Sequence, residues 1–395
     1  MLILGIDVSK SSVVVCPLLK KPPNARAHFH DSEYFYLEAN KQGIHKLLQF
    51  QADIAIIEPT GTNYSKLWVE YLLESGCEVR LADHAKIRNY RKNHLGLPDK
   101  DDYADSLALG CYGWDYLDIP SRFISLQQPN VAKLRSFILR LNHLNHCQSP
   151  IINRIRQDLA WQFPEVAHSK SQRRGDKPAL LWAFLAGEET SKRYENKLLD
   201  SIGLGVTESV TAHAQRLCSI QREEAFVELN LKRLVQNKEF APYLKVFDEF
   251  CFGFRLNCLL LSQVFPFDKF LGQDGKPIIK RSQGRSSKKP TKKNLSSRRF
   301  QKCLGVAPSE ASSGDTKKKR VVGGSAQCRK ALWLWVMTRL EVKKSRPNTE
   351  VCQKLIQQLD EEKFAGRPGK LIQSRISAKA VKLLYKELVK ELVNG

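Results

Sequence analysis

Residues 2–7 read LILGID: four apolar residues and a glycine leading into a carboxylate. A run that is apolar at successive positions is buried on both faces, so it belongs in the middle of a sheet covered by helices. Asp7 in such a strand is costly unless a cation binds it or a proton neutralises it. Helix capping, the usual reason for an aspartate at the edge of an element, does not apply. One short run therefore asks for a sandwiched sheet and for something that answers Asp7.

The chain up to residue 122 supplies the rest of that sheet. SSVVVCPL comes after a short turn and reads as an antiparallel second strand; EYFYLEA is a third. KQGIHKLLQF is a helix, ADIAIIE a fourth strand, NYSKLWVEYLLES a helix and CEVRLAD a fifth strand. A basic helix, HAKIRNYRKNHL, comes next, and after Pro98 another helix starts near DKDDYADSLALGCYG. Three antiparallel strands, then helix–strand–helix–strand–helix, is the order of an α/β ribonuclease-H-like (RuvC-like) domain.

Four carboxylates fall at informative places in that order. Asp7 ends the first strand and Glu58 ends the fourth, which is its neighbour in such a sheet. Asp102 and Asp105 lie three apart on one face of the next helix. Carboxylates gathered there cannot all ionise without a cation, and two Mg²⁺ ions bridged by aspartate are a known device of phosphodiester chemistry. The plainer reading is that Asp99, Asp101 and Asp102 cap a helix and oppose its dipole. That account covers Asp105, one turn further in, less well, and Asp7 not at all.

Beyond residue 122 the pattern is helical. Residues 127–162 and 209–236 carry apolar residues at helical spacing, with Pro150 a candidate kink. The pair reads as a coiled-coil arm over 123–240, able to serve as a dimer contact or as an internal helical hairpin. Residues 241–264 read as one apolar helix, and 275–299, which lack any acid, as a flexible basic insertion within a C-terminal domain over 241–345. The remainder, 346–395, is a basic helical tail.

The chain of 395 residues holds 64 Lys and Arg against 41 Asp and Glu, a net charge of +23. Such an excess points to a polyanion, above all nucleic acid, as partner. No stretch is apolar enough to span a membrane, and no secretory leader is evident. Ten scattered cysteines with no CxxC pair indicate neither a zinc site nor a disulfide framework, which suits a reducing cytoplasm. The candidate phosphate contacts are Lys280, Arg281, Lys288, Lys289, Lys292, Lys293, Arg298 and Arg299, then Lys317, Lys318, Lys319, Arg320 and Arg329. The four consecutive cations from Lys317 come just after the stretch SSGD. A serine that attacks a phosphate needs such cations about the non-bridging oxygens and a glycine for close approach. The bland alternative is a Ser/Gly turn beside a solvated charge run.

Taken in order, these pieces resemble a known family. GIDVSK, IEPTG and KDDYADS are similar to the N-terminal motifs of the DEDD transposases of the insertion sequence 110 family, which includes Piv-type invertases and bridge-RNA-guided recombinases. The family's usual K-T-D-x-x-D-A is Lys100-Asp101-Asp102-Tyr103-Ala104-Asp105-Ser106 here, altered at two positions with both acids kept. LAWQFPE resembles the end of the family's first coiled-coil helix. CLGVAPSEASSG resembles its G-L-x-P…S-G segment, and GGSAQCRKAL resembles its G-N-x-x-L-R-x-x-L. CFGFRLN keeps only Gly253 of the family's P-G-I-G.

The resemblance implies a site binding Mg²⁺, as two ions, through Asp7, Glu58, Asp102 and Asp105. It implies Ser313 as a nucleophile that becomes covalently joined to DNA, the choice over Ser312 resting on the adjacent Gly314. It also implies donor and target DNA as substrates, a structured guide RNA, and a homo-oligomer, dimer or tetramer, in which one subunit's acids meet another's serine. Other readings of the same residues are a RuvC-like nuclease or junction resolvase without a serine link, a sugar-kinase-like ATPase, to whose phosphate strand GIDVSKSS is also similar, and a non-catalytic nucleic-acid-binding protein.

Overall fold

The computed structural model describes residues 1–59, 63–124, 128–283, 290–313 and 316–394, with 309–313 and 316–320 described by backbone alone. The chain forms two compact units, Met1–Gln127 and Gln128–Gly395.

The first unit is a five-stranded mixed sheet. Its strands are β1 (Ile3–Val8), β2 (Ser12–Leu18), β3 (Phe35–Glu38), β4 (Ile54–Ile57) and β5 (Glu78–Leu81), in the order β3-β2-β1-β4-β5. β2 runs antiparallel to β1 and β3, while β4 lies parallel to β1 and β5 parallel to β4. This is the ribonuclease-H-like arrangement expected, with LILGID as the central strand. Its helices are α1 (Ala25–Asp31), α2 (Lys41–Gln49), α3 (Lys66–Glu74), α4 (His84–Asn93) and α5 (Asp102–Asp115).

Alternation along the strands divides the core in two. Leu4, Ile6 and Ile57 pack with Leu47 of α2 and Trp68 of α3. Ile3, Ile54 and Ile56 pack on the opposite face with Ile87 and Tyr90 of α4 and Leu107 of α5. α1 was not expected. Its sequence, ARAHFHD, buries no residue and has no apolar stripe to read; Asn24 caps it by accepting from the backbone N–H groups of Arg26 and Ala27.

The second unit is mostly helical. It comprises α6 (Pro129–Gln162), α7 (Pro164–Ala167), α8 (Leu180–Leu185), α9 (Lys192–Leu199), α10 (Glu208–Val235), α11 (Ala241–Glu249) and α12 (Phe254–Val264). Next come a hairpin β6–β7 (Ile279–Gln283, Pro290–Asn294), α13 (Leu295–Cys303), a hairpin β8–β9 (Pro308–Ser313, Thr316–Val321), α14 (Ala326–Trp335), α15 (Glu350–Phe364) and α16 (Gly369–Val393).

The start of α6 shares a core with the end of α10 (Leu134 and Ile138 with Leu231 and Val235), and the end of α6 shares another with the start of α10 (Ile155 and Leu159 with Val210 and Ala214). The two long helices are therefore an antiparallel pair within the chain, and α6 runs through Pro150. Between the two cores lies a buried polar joint. The Gln148 side-chain amide donates to Glu224 at 3.1 Å, and Arg255 and Arg173 pair with Glu224 and Glu228. The first of the two cores extends through Leu332 of α14, Leu355 of α15 and Ile376 and Leu384 of α16.

Two expectations are corrected here. The apolar stretch 241–264 is two helices, not one: Cys251 adopts a left-handed φ of 49° and Gly253 caps α12. The stretch 275–299, expected to be flexible, holds the β6–β7 hairpin and the first turns of α13. Asn294 caps α13 by accepting from the Ser297 N–H, and the Ile278 N–H donates to the Ser296 hydroxyl, which ties the hairpin's base to the helix. Among the described residues no helix is long and apolar enough to cross a membrane, and all ten cysteines are free thiols.

Candidate functional site: an acidic cleft and a basic hairpin

Register brings the acids to one end of the sheet. β1 and β4 are parallel with Ile6 opposite Ile57, so Asp7 and Glu58 stand next to each other one step on. Asp7 shares with Ile3 and Gly5 the face covered by α5. α5 begins at Asp102; its cap is Asp101, whose carboxylate accepts from the Tyr103 N–H at 3.3 Å. Capping thus accounts for Asp101 but not for Asp102 or Asp105, which lie inside the helix's first turn.

The approach of α5 to β1 depends on Gly5. A methyl group there would lie 2.0 Å from the Ser106 carbonyl oxygen and 2.4 Å from the Gly110 nitrogen. Backbone meets backbone at that point, immediately after Asp105. A glycine inside an apolar strand is the sequence signal for such an approach, and it stands two residues before Asp7.

The electrostatics come from this packing. Asp7 is raised from an ordinary 3.8 to about 7, first by burial and then by the charges of Asp102, Asp105 and Glu58; the Val8 N–H opposes the rise. All three other acids are therefore close enough for Asp7 to feel them. Two of them already hold partners that sequence reading missed. Glu58, buried, contacts Nδ1 of the exposed His84 at the head of α4. Asp105 is 2.6 Å from Nε of Arg91, a guanidinium only 2% exposed. Arg91 also donates to the carbonyls of Leu97 (2.9 Å) and Asp99, so one side chain fixes both Asp105 and the loop leading into α5. Such pairings join residues far apart in the chain and leave no local pattern.

The donor set suits a divalent cation. Carboxylate oxygens are the hard ligands that Mg²⁺ takes, and Asp7 is a partly buried acid among three like charges that a cation would relieve. Among the described residues no group of three or more Asp, Glu, His or Cys side chains is drawn together tightly enough to hold a metal ion. Glu58 is turned to His84 and Asp105 to Arg91 instead.

The basic residues lie in the second unit. Lys280 and Arg281 on β6 are exposed, and their cross-strand partners on β7 are Lys293 and Lys292, exposed as well. Like charges directly opposed across a ladder are unfavourable by themselves, and a polyanion laid along the hairpin would relieve them. Arg298 and Arg299 are exposed on α13. Lys288 and Lys289 lie outside the described residues, as do Gly314 and Asp315. Arg329 is less available: it donates to the Gly305 carbonyl at 2.9 Å. Ser313 is the last residue of β8, opposite Thr316, and Ser312 is opposite Lys317; Lys318, Lys319 and Arg320 continue β9 opposite Ala311, Glu310 and Ser309.

Known proteins place the chain in a wider group. Residues 4–164 match the model of a family described as a DEDD transposase of the IS110 type, and residues 289–350 match that of the "Transposase IS116/IS110/IS902 family". No curated protein matches the chain. Among solved structures it is similar to Thermus thermophilus RuvC at 13% identity, over 32% of this chain and 100% of the RuvC chain, with a TM-score of 0.23.

Proposed function

The chain belongs to the IS110 family of DEDD transposases, and from that premise we propose that it cuts and rejoins DNA with Asp7, Glu58, Asp102 and Asp105 as Mg²⁺ ligands and Ser313 as nucleophile. The observation that carries the reading is Asp7: a strand carboxylate lifted to about 7 by burial and by Asp102, Asp105 and Glu58. The pairs with His84 and Arg91 hold Glu58 and Asp105 in place, but they do not relieve the partly buried Asp7, which all three acids still push up.

Two Mg²⁺ ions, when bound, would draw charge from the oxygens of the phosphate under attack and stabilise the departing one. The chain's own residues do the rest. The Ser313 hydroxyl oxygen attacks phosphorus. The bond from phosphorus to a deoxyribose oxygen breaks as the serine–phosphorus bond forms, the serine proton is lost to solvent, and the departing oxygen takes one up. The strand end stays attached to the protein until a second deoxyribose hydroxyl reverses the step. Arg91 keeps Asp105 and the α5 entry loop in place throughout. The cations of β6, β7 and α13 hold donor and target DNA by the backbone, without reading sequence. Site choice falls to a structured guide RNA, and the acids of one copy act with the serine of another in a dimer or tetramer.

The test is the covalent intermediate. Wild-type protein incubated with Mg²⁺, RNA transcribed from the non-coding flanks of its own insertion sequence and DNA carrying that sequence's junction should give a protein–DNA adduct that survives denaturing electrophoresis. Ser313→Ala should give none, while Ser312→Ala still forms it. An adduct of undiminished yield in Ser313→Ala would remove the serine from the account.

A further inference from the structure

The cations expected to meet DNA all belong to the second unit, yet the acidic unit carries a set of its own. On α4, His84, Arg88 and Lys92 recur every four residues and so form one stripe. Together with Lys100 they line the same cleft, of about 330 Å³, as Glu58 and Asp105. Arg88, Lys92 and Lys100 are exposed. The two ion pairs in the cleft, His84 with Glu58 and Arg91 with Asp105, do not use them.

The local role of these residues does not explain them. Lys92 lies in the last turn of α4, where a cation meets the helix dipole favourably. Arg88 sits mid-helix and Lys100 beyond the helix, where that benefit fades. What they share is the cleft. Carboxylates alone repel a phosphodiester. Three cations on the rim attract one, and they bring its phosphate beside acids suited to a divalent ion.

We propose that this cleft is the seat of the DNA strand that is cut, with Arg88, Lys92 and Lys100 on its backbone phosphates next to Glu58 and Asp105. These cations meet phosphate, so they position the strand without reading its bases. The inference rests on the function proposed above and adds a substrate-binding surface to the acidic unit.

The experiment uses the full chain, DNA carrying the insertion junction and, for cleavage, RNA transcribed from the insertion sequence's flanks. Binding is followed by fluorescence anisotropy across a salt series, and cleavage is followed in Mg²⁺. For Arg88→Ala/Lys92→Ala, both positions being exposed, the KM for DNA should rise about tenfold. The slope of log affinity against log salt should become shallower by roughly 1.4 to 1.8, at about 0.7 to 0.9 for each phosphate no longer neutralised. Arg88→Lys/Lys92→Arg should restore both. A wild-type slope and KM in the double alanine variant would overturn the cleft as a strand seat while leaving the function intact. A wild-type chain that cuts no DNA in Mg²⁺ with RNA from the insertion sequence's flanks present would overturn the function itself. Weaker binding of single-stranded RNA with DNA binding and cleavage unchanged would assign the stripe to RNA and refute the proposal.

Discussion

Replacing Gly5 with alanine should damage the site from beneath without touching an acid. The added Cβ would stand 2.0 Å from the Ser106 carbonyl oxygen and 2.4 Å from the Gly110 nitrogen. Neither is the far end of a flexible side chain; both belong to the backbone of α5. Real Cβ atoms do not come within 3.0 Å of such neighbours, so α5 must retreat from β1 by about 1 Å or more. Overpacking of that order costs about 1–3 kcal/mol. The same retreat carries Asp102 and Asp105 away from Asp7, and a misplacement of about 1 Å in a catalytic constellation can cost on the order of a hundredfold in rate. Gly110→Ala is the internal control. Its Cβ would lie 2.7 Å from Leu18 Cδ1, a side-chain tip that can turn aside. Urea unfolding gives the stability change, and strand cleavage in Mg²⁺ gives the rate. The expected ranking is wild type, then Gly110→Ala, then Gly5→Ala, with the last folded at room temperature but nearly inactive. If Gly5→Ala keeps wild-type cleavage and stability, the close approach of α5 does not position the acids and the reasoning fails.

Asp7 is raised from 3.8 to about 7, so its burial costs nothing below pH 3.8 and grows to its full size above 7; at about 1.4 kcal/mol per pH unit the ceiling is roughly 4 kcal/mol. In EDTA, Asp7→Asn should therefore be more stable than wild type above neutral pH and match it below the ordinary carboxylate range, and a pH-independent difference would contradict the assignment. Glu224 is 8% exposed on its side chain and pairs with Arg255 and, more loosely, Arg173. Glu224→Ala takes the acceptor from the Gln148 amide and leaves Arg255 and Arg173 to share Glu228 alone; it should cost about 1–3 kcal/mol in urea unfolding, less than orphaning a buried charge, because both guanidinium groups keep one partner. Changing Lys280, Arg281, Lys292 and Lys293 together to alanine should weaken binding of every DNA sequence alike and flatten the salt slope by roughly 2.8 to 3.6, while cleavage of bound DNA continues.

The sheet could be read in advance because its central strands are short apolar runs rich in Ile and Val and bounded by turn residues, which marks them as buried strands rather than helix segments. Asp7 and Glu58 stood out for the same reason, as charges at the ends of such runs. Asp102 and Asp105 could be placed on a helix face, but what brings that helix to β1 is Gly5, whose role emerges only against the Ser106 and Gly110 backbone. The partners His84 and Arg91 were hidden because each meets its acid through tertiary packing. α1 escaped notice for want of any buried residue. The β6–β7 hairpin escaped because cations dominate its sequence, while its order comes from backbone pairing and from a base tied to α13. The basic character of α4 was legible; its place beside the acids was not.

The central claim is that four carboxylates act as one cation site that cuts DNA. It is tested most directly by measuring Mg²⁺-dependent cleavage of insertion-junction DNA, with RNA from the insertion sequence's flanks present, by wild type and by Asp7→Asn, Glu58→Gln, Asp102→Asn and Asp105→Asn, with DNA affinity measured on the same samples. The account predicts that each variant binds DNA about as well as wild type and cuts none, and that EDTA silences the wild type reversibly. Cleavage at the wild-type rate by any one of the four, or by the wild type in EDTA, would contradict it.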